Sequence, residues 1–541
     1  MTSAPLSDRQ AALAGLADER WDLLIIGGGI VGSGALLDAT SRGLKAALIE
    51  QDDLSVGTSS RSSRLIHGGL RYLEDFRLQL VREALAERSK LLALAPHLVK
   101  LERFLFPVYG WPLVHRAFMG AGLTLYDLLG AARDGGRAHH LGSGAVAELI
   151  PNIKRDGLRG GVTYSDGVED DARFSIAVAL TAVEQGATAV TRARVTDLVT
   201  DDQGAVAGLR VKDLVSGDEF EARATKVIDA TGVWLGDPQT RLGGSTMKLV
   251  PSRGTHLVFD RDRLPLKMGM TLRVPGSVLF VIPHPGVWLV GTTDVAADGA
   301  PDRPAPTLDE VDEILENVNN VLDADLTRDD AVGAFAGLRP LVGVPGGDTA
   351  RVSREHTIHR EDSGLVRVSG GKYTTYRLMA RDAVDYALEG EDPIPASKTA
   401  DIPLLGAAPR ERLDRLADEI ARDSGLDRQR AGELVDRHGI RATEIVALGQ
   451  EQDLLRPLAD DRTELEAEVA WAVERELALS LDDMLSRRMR LSMSRRDRGG
   501  SIAPRVAEIM GPRLGWDAER QATEVAQYLE TARREYDVPG A

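Results

Sequence analysis

The chain has 541 residues, with 66 Lys and Arg against 83 Asp and Glu, a formal charge of −17, and no cysteine. That length corresponds to roughly three to four domains and buries enough surface to fold without metal or disulfide staples. The charge excludes a general nucleic-acid surface, which needs a basic face. The missing cysteines exclude thiolate zinc sites, iron–sulfur clusters, redox dithiols and a cysteinyl link to a flavin, so redox chemistry has to come from a bound organic cofactor.

Asp8, Arg9, Asp18, Glu19 and Arg20 precede the first apolar run, which is not the pattern of a secretory leader, and a cytoplasmic protein is expected. Ser7 followed by Ala11, Ala12, Leu13 and Leu16 predicts a short helix within residues 1–20. Trp21 to Ile26 reads as a buried strand, Ile30 to Thr40 as a helix and Ala46 to Ile49 as a second strand, a βαβ opening. Between the first strand and the helix stands Gly27-Gly28-Gly29-Ile30-Val31-Gly32. Gly27 permits the tight turn, Gly29 lets backbone N–H groups approach a pyrophosphate at the helix N-terminus, and Gly32 allows close packing of helix on strand. Glu50 ends the second strand about 20 residues on, where a carboxylate accepts hydrogen bonds from a ribose diol and disfavours a 2′-phosphate. The alternative, a glycine-rich structural turn, does not account for that terminal acid.

No second strand-following G-x-G-x-x-G occurs, so a single dinucleotide is expected. Ala230-Thr231-Gly232 and Ser369-Gly370-Gly371-Lys372, each placed after an apolar strand, favour FAD over NAD, although either alone reads as an ordinary loop. Short β-branched runs at Val195–Val199, Lys226–Asp229, His256–Phe259, Val278–Ile282 and Val287–Val290 predict a second sheet interleaved with the first. Val274 to Thr293 lacks acids and bases over nearly a membrane span, but Pro275, Gly276, Pro283, Pro285 and Gly286 make it strand, turn, strand. After about Asp401 the texture becomes helical, with Leu413, Leu416 and Ile420, then Leu465, Val469, Val473 and Leu477, at helical spacing. The expected organisation is a helix over 1–20, sheet-based domains over 21–400 and a helical domain over 401–541.

The run Thr58-Ser59-Ser60-Arg61-Ser62-Ser63-Arg64-Leu65-Ile66-His67-Gly68-Gly69-Leu70-Arg71-Tyr72-Leu73-Glu74 resembles the FAD-dependent glycerol-3-phosphate dehydrogenases of the respiratory type. So do Gly337-Leu338-Arg339-Pro340-Leu341 and Gly370-Gly371-Lys372-Tyr373-Thr374-Thr375-Tyr376-Arg377, and the resemblance extends over nearly the whole chain. Tyr164-Ser165-Asp166, Asp170-Asp171-Ala172-Arg173 and Gly291-Thr292-Thr293-Asp294 belong to it. Arg64, Val233 and Tyr373 depart from it, standing where lysine, proline and leucine are frequent. The resemblance implies an α/β fold: a Rossmann-like FAD-binding domain interleaved with a mixed-sheet substrate domain, plus an all-α C-terminal domain. It implies FAD held without a covalent bond by Gly27, Gly28, Gly29, Gly32, Glu50, Thr58, Ser59, Ser63, Leu65, His67, Gly68, Gly69, Val195, Thr231, Gly232, Gly371, Lys372, Tyr373 and Thr374.

It further implies oxidation of sn-glycerol 3-phosphate at C2, with Arg71, Tyr72 and Arg354 on the phosphate and Arg339 and Lys372 nearer the reacting carbon. Arginine offers a planar fork to phosphate oxygens and lysine a compact charge; taken singly, each of these bases also reads as a surface charge. Oxidation needs a base for the hydroxyl proton, and His256 is the candidate because imidazole titrates near neutrality. His67 competes, with a role at the flavin edge. Arg339 stays protonated and suits stabilising a developing alkoxide. No metal ligand set is expected.

Phe104, Phe106, Tyr109, Trp111, Phe118 and Tyr126 crowd into about residues 104–126, and Lys100 to His140 carries five bases against three acids. Aromatics flanked by arginine suit docking on an anionic bilayer without crossing it, and a buried loop and helix is the competing reading. The resemblance favours the membrane: a peripheral protein on the inner face of the cell membrane, passing electrons to a quinone acceptor. A glycerol-3-phosphate oxidase giving peroxide, an amino-acid oxidase on the same scaffold and a flavin-bound sensor are the other functions considered. A homodimer and the role of the C-terminal helices are left open.

Overall fold

The computed structural model describes residues 9–69, 78–110, 138–235, 242, 247, 249–274, 277–297, 303–343 and 356–541. Its first sheet is built on the strand Arg20–Ile26, whose Leu23, Leu24, Ile25 and Ile26 are all buried, the continuous apolar run of a strand covered on both faces. Ala46–Ile49 pairs with it in parallel on one side and Glu219–Asp229 on the other. Thr188–Val190 and Val366–Gly370 extend the parallel core, and the antiparallel strand His356–Arg360 closes one edge. Helix Ile30–Ser41 packs against helices Asp171–Glu184 and Tyr376–Ala387. A Cβ on Gly34 would lie 3.0 Å from that of Ala380, so glycine sets the closeness of the second crossing.

The second sheet centres on Ser252–Asp260, flanked by Val287–Gly291 and Ala331–Arg339. Register places His256 opposite Gly291 and Phe335, and Ser252 opposite Arg339. The sheet continues through Ser277–His284, Gly269–Val274, Val99–Tyr109 and Leu158–Glu169 to Leu65–Ile66. Residues 20–49, 188–229 and 356–370 thus serve one sheet, and 65–66, 99–169 and 252–339 the other, so the chain is interleaved between them. From Arg410 to Tyr536 the named elements are helices.

Two expectations change. Phe104 and Phe106, counted among the membrane-facing aromatics, are buried side chains of Val99–Tyr109, which pairs on both sides with other strands. Phe104 stacks on Tyr164 with ring centroids 5.9 Å apart, and Tyr109 donates its hydroxyl to the Lys154 carbonyl at 2.9 Å. Burial in sheet pairing takes the Phe104 and Phe106 rings out of reach of a bilayer, while Tyr109 is only partly buried; Trp111, Phe118 and Tyr126 lie outside the described residues. Leu477 does not continue a helix: Glu466–Arg475 has ended, and Leu477 takes a left-handed backbone at φ +58°.

Candidate active site

The carboxyl ends of Arg20–Ile26, Ala46–Ile49, Glu219–Asp229 and Val366–Gly370 open onto a cavity of about 340 Å³, whose opposite wall is the second sheet at Gly254, His256, Thr292 and Gly337 to Leu341. This is the crevice where open parallel sheets take their ligands.

At one end the glycine turn behaves as its spacing predicts. Gly27 has φ +101°, and a Cβ there would lie 2.9 Å from the Ala230 carbonyl oxygen. A Cβ on Gly32 would lie 2.0 Å from the Gly27 oxygen, so helix Ile30–Ser41 starts tight against the turn. Ser59 Oγ accepts the Ile30 N–H at 2.9 Å. Glu50 is buried and accepts the N–H groups of Gly28 at 2.6 Å and Asp52 at 2.7 Å. Burial pushes its carboxyl up to about 7; the two backbone hydrogen bonds oppose the rise, and the charges of Asp52 and Asp53 add to it.

At the other end His256 is buried, its ring stacked on Phe335 at 4.8 Å and 7°. Nε2 meets Ser63 Oγ at 2.9 Å, and Nδ1 has no hydrogen-bond partner. Burial, reinforced by the cations of Arg339 and Arg64, pushes the imidazole down to about 3, so it is neutral at physiological pH and keeps a lone pair. A Cβ on Gly291 would lie 2.4 Å from His256 Cδ2, so glycine makes room for the ring. Arg339 donates from Nη1 to Ser252 Oγ at 3.2 Å, and from Nη2 to Thr292 Oγ1 at 3.1 Å and the Thr293 carbonyl at 3.2 Å. Asp294 stands 3.5 Å from the same guanidinium and accepts from the Ser252 hydroxyl. The guanidinium is thereby aimed while its side chain stays 28% exposed.

The structure brings Gly27, Gly29, Glu50, Thr58, Ser59, Ser63, Leu65, His67, Val195, Thr231, Gly232, His256, Arg339, Gly371, Lys372, Tyr373 and Thr374 to the wall of this one cavity. Thr58 Oγ1 donates to the Leu338 carbonyl at 2.6 Å, tying the serine-rich run to the second sheet. Gly28 and Gly32 stand behind the wall, the first donating to Glu50 and the second packed under Gly27. Gly68 and Gly69 are not on it either. Arg71, Tyr72 and Arg354 lie outside the described residues. Sequence reasoning missed Arg61, Trp234, Gly254 and Thr292, which also line the cavity. Arg61 and Thr292 lie in runs already singled out; Trp234 gave no signal and arrives through the turn at Gly232, packing where a Cβ on Gly57 would lie 2.7 Å from its ring.

An extended dinucleotide fits this wall. The turn at the helix N-terminus is built of glycines that bring no Cβ of their own between backbone and ligand, suiting a pyrophosphate, and the carboxylate that a ribose needs follows the neighbouring strand. Among the described residues there is no group of three or more His, Cys, Asp or Glu able to hold a metal ion, and no helix long and apolar enough to cross a membrane.

The family described as FAD dependent oxidoreductase matches residues 22–385, and that described as the C-terminal domain of alpha-glycerophosphate oxidase matches residues 397–521. Among curated relatives, the glycerol-3-phosphate dehydrogenase of Mycobacterium leprae is 43% identical over 98% of this chain and 91% of its own. The human mitochondrial glycerol-3-phosphate dehydrogenase is 35% identical over 97% of this chain and 74% of its own. Among solved structures, the glycerol-3-phosphate dehydrogenase of Bacillus halodurans complexed with FAD superposes with a TM-score of 0.81 at 26% identity, covering 98% of both chains. With its interleaved sheets, glycine turn, helical C-terminal region and these relatives, the chain belongs to the FAD-dependent glycerol-3-phosphate dehydrogenase family.

Proposed function

We propose that this protein oxidises sn-glycerol 3-phosphate to dihydroxyacetone phosphate and passes the electrons to a membrane quinone. The observation that carries the reading is the placement of a neutral histidine and an aimed arginine on the cavity wall facing the glycine turn. FAD, when bound, supplies the acceptor for the hydride leaving C2. His256 takes the C2 hydroxyl proton on its lone pair, and Arg339, which cannot be a base, stabilises the oxygen as its proton leaves. Lys372 adds a cation to the same wall, offsetting the substrate's negative charge in a chain that carries −17 overall. Arg71, Tyr72 and Arg354 take the phosphate. Gly27, Gly29, Glu50, Thr58, Ser59, Thr231, Gly232 and Gly371 hold the dinucleotide, with Gly28 and Gly32 shaping the turn. Residues 401–541 form the separate helical domain.

The substrate is tested by anaerobic titration: glycerol 3-phosphate bleaches the flavin, and His256→Asn slows the single-turnover reduction strongly. No bleaching refutes the reading, and an unchanged rate in His256→Asn refutes the base. The acceptor is tested by reoxidation. Rapid reoxidation by a short-chain quinone with little hydrogen peroxide supports the dehydrogenase. Stoichiometric peroxide in air supports the second reading, an oxidase, which the matching C-terminal family description favours. Membrane attachment now rests on Trp111, Phe118 and Tyr126. Liposome binding that survives Trp111→Glu with Phe118→Glu in a folded protein refutes it.

A further inference from the structure

We propose that Arg490, supplied by the C-terminal helices, is a positioning residue that acts through Asp171 on the loop Ser60 to Arg64, and so on the Ser63 hydroxyl that meets His256. The inference rests on the functional reading above, which gives His256 its role.

Asp171 is fully buried and collects four donors. Its Oδ2 accepts the N–H and the hydroxyl of Ser62, both at 2.8 Å, and its Oδ1 accepts the Ala172 N–H at 2.9 Å and Arg490 Nη2 at 2.7 Å. The same Arg490 nitrogen donates to the Ser60 carbonyl at 2.9 Å. One guanidinium therefore holds the loop directly at Ser60 and, through the carboxylate, at Ser62.

The neighbouring contacts repeat the pattern. Arg61 pairs with Glu535 of the last helix, Ala518–Tyr536. Arg64, itself left-handed at φ +55°, places Nη2 3.0 Å from Met493 Sδ, and its N–H donates to Ser62 Oγ at 2.9 Å. Four of the five loop residues are thus fixed by groups from the helical region or by the carboxylate that region holds. The fifth, Ser63, carries the hydroxyl 2.9 Å from His256 Nε2. Stacking on Phe335 fixes the plane of the imidazole, so the position of the Ser63 hydroxyl decides the hydrogen bond that selects its tautomer.

Arg490 is built for a fixed task rather than for surface charge. It is buried, and its backbone is left-handed at φ +62°, ψ 18°, a conformation that L residues adopt rarely and keep only where surrounding contacts enforce it. It stands between a turn of π-helix, Asp483–Arg488, and the short helix Leu491–Ser494. Arg487 and Arg488 of that turn pair with the buried Asp53, so the segment that carries Arg490 is anchored independently of the Ser60 to Arg64 loop.

The test uses holoenzyme. Rapid mixing with glycerol 3-phosphate gives the limiting rate of flavin reduction and the half-saturating substrate concentration; the ring ¹⁵N resonances of His256, assigned with His256→Asn, report its hydrogen bond independently of turnover. Arg490→Met is expected to lower the limiting rate about 10- to 100-fold while moving half-saturation by less than about twofold. Arg490→Lys recovers part of the rate, Ser63→Ala gives a similar loss, and Arg490→Met adds nothing to Ser63→Ala. The His256 resonance of Arg490→Met moves toward that of Ser63→Ala. Should Arg490→Met unfold because Asp171 keeps only the more distant Arg64, whose Nε lies 3.6 Å from Oδ1, Arg490→Met with Asp171→Asn removes both charges of the shorter pair and carries the same expectations. The proposal is overturned by a wild-type rate in the folded variant, by losses that multiply with Ser63→Ala, or by a His256 resonance that stays in place while the rate falls. A wild-type enzyme that glycerol 3-phosphate does not bleach overturns the functional reading and this inference with it. Wild-type bleaching with no change in Arg490→Met overturns the positioning alone.

Discussion

Glu50→Gln in flavin-free protein isolates the energetic cost of keeping a carboxylate at the ribose end of the cavity. An unfolded Glu titrates near 4.5, whereas buried Glu50 titrates at about 7. Between those values the folded chain retains a proton that the unfolded chain has released, so stability falls as pH rises through the window and levels above it. At about 1.4 kcal/mol per pH unit, the separation amounts to about 3 kcal/mol. The substituted amide never ionises, so the variant's stability relative to wild type should grow by about 3 kcal/mol between pH 4.5 and pH 8. The amide cannot accept both the Gly28 and Asp52 N–H groups as the carboxylate does, but that loss is present at both pH values and cancels in the comparison. Urea unfolding of both proteins at several pH values measures the difference, and FAD retention should weaken in the variant. A stability difference that does not change with pH would refute the reasoning, because Glu50 would then ionise as easily folded as unfolded.

Gly32→Ala places a methyl 2.0 Å from the Gly27 carbonyl oxygen, so the turn or the helix start must move. The variant should lose about 1–3 kcal/mol and most of its FAD, read from the melting temperature and flavin absorbance, and full flavin content would refute the close packing. Arg339→Lys keeps the charge but cannot span Ser252, Thr292 and Thr293 together; kcat should fall at least about tenfold with a smaller change in KM, and equal kcat refutes the role of the fork. His256, held down to about 3 in the flavin-free protein, should show no protonation by NMR from pH 8 to pH 5, and a midpoint near 6.5 refutes its burial among cations.

Much of this was legible because local chemistry and tertiary use coincide. The glycine turn, the acid ending the second strand and the strand-end glycines at 232 and 371 each satisfy a backbone requirement that shows in the residue types themselves. Aromatic crowding misled for the opposite reason. Phe104 and Phe106 look the same in sequence whether they face lipid or a sheet, and only pairing with Leu158–Glu169 and Gly269–Val274 buries them. Leu477 kept a helical interval after the helix had ended, because spacing does not register a left-handed residue.

By itself the sequence determined the dinucleotide turn, the interleaving of two sheet regions, the helical C-terminal region and the restriction of redox chemistry to an organic cofactor. These follow from residue type, period and spacing along the chain. Tertiary structure decided that His256 is neutral, because burial and two arginines distant in sequence surround it. It also decided that Arg490 reaches a loop 430 residues away, through a carboxylate whose other oxygen holds Ser62. Charge pairing and desolvation act through space, and no local pattern records which distant groups will meet.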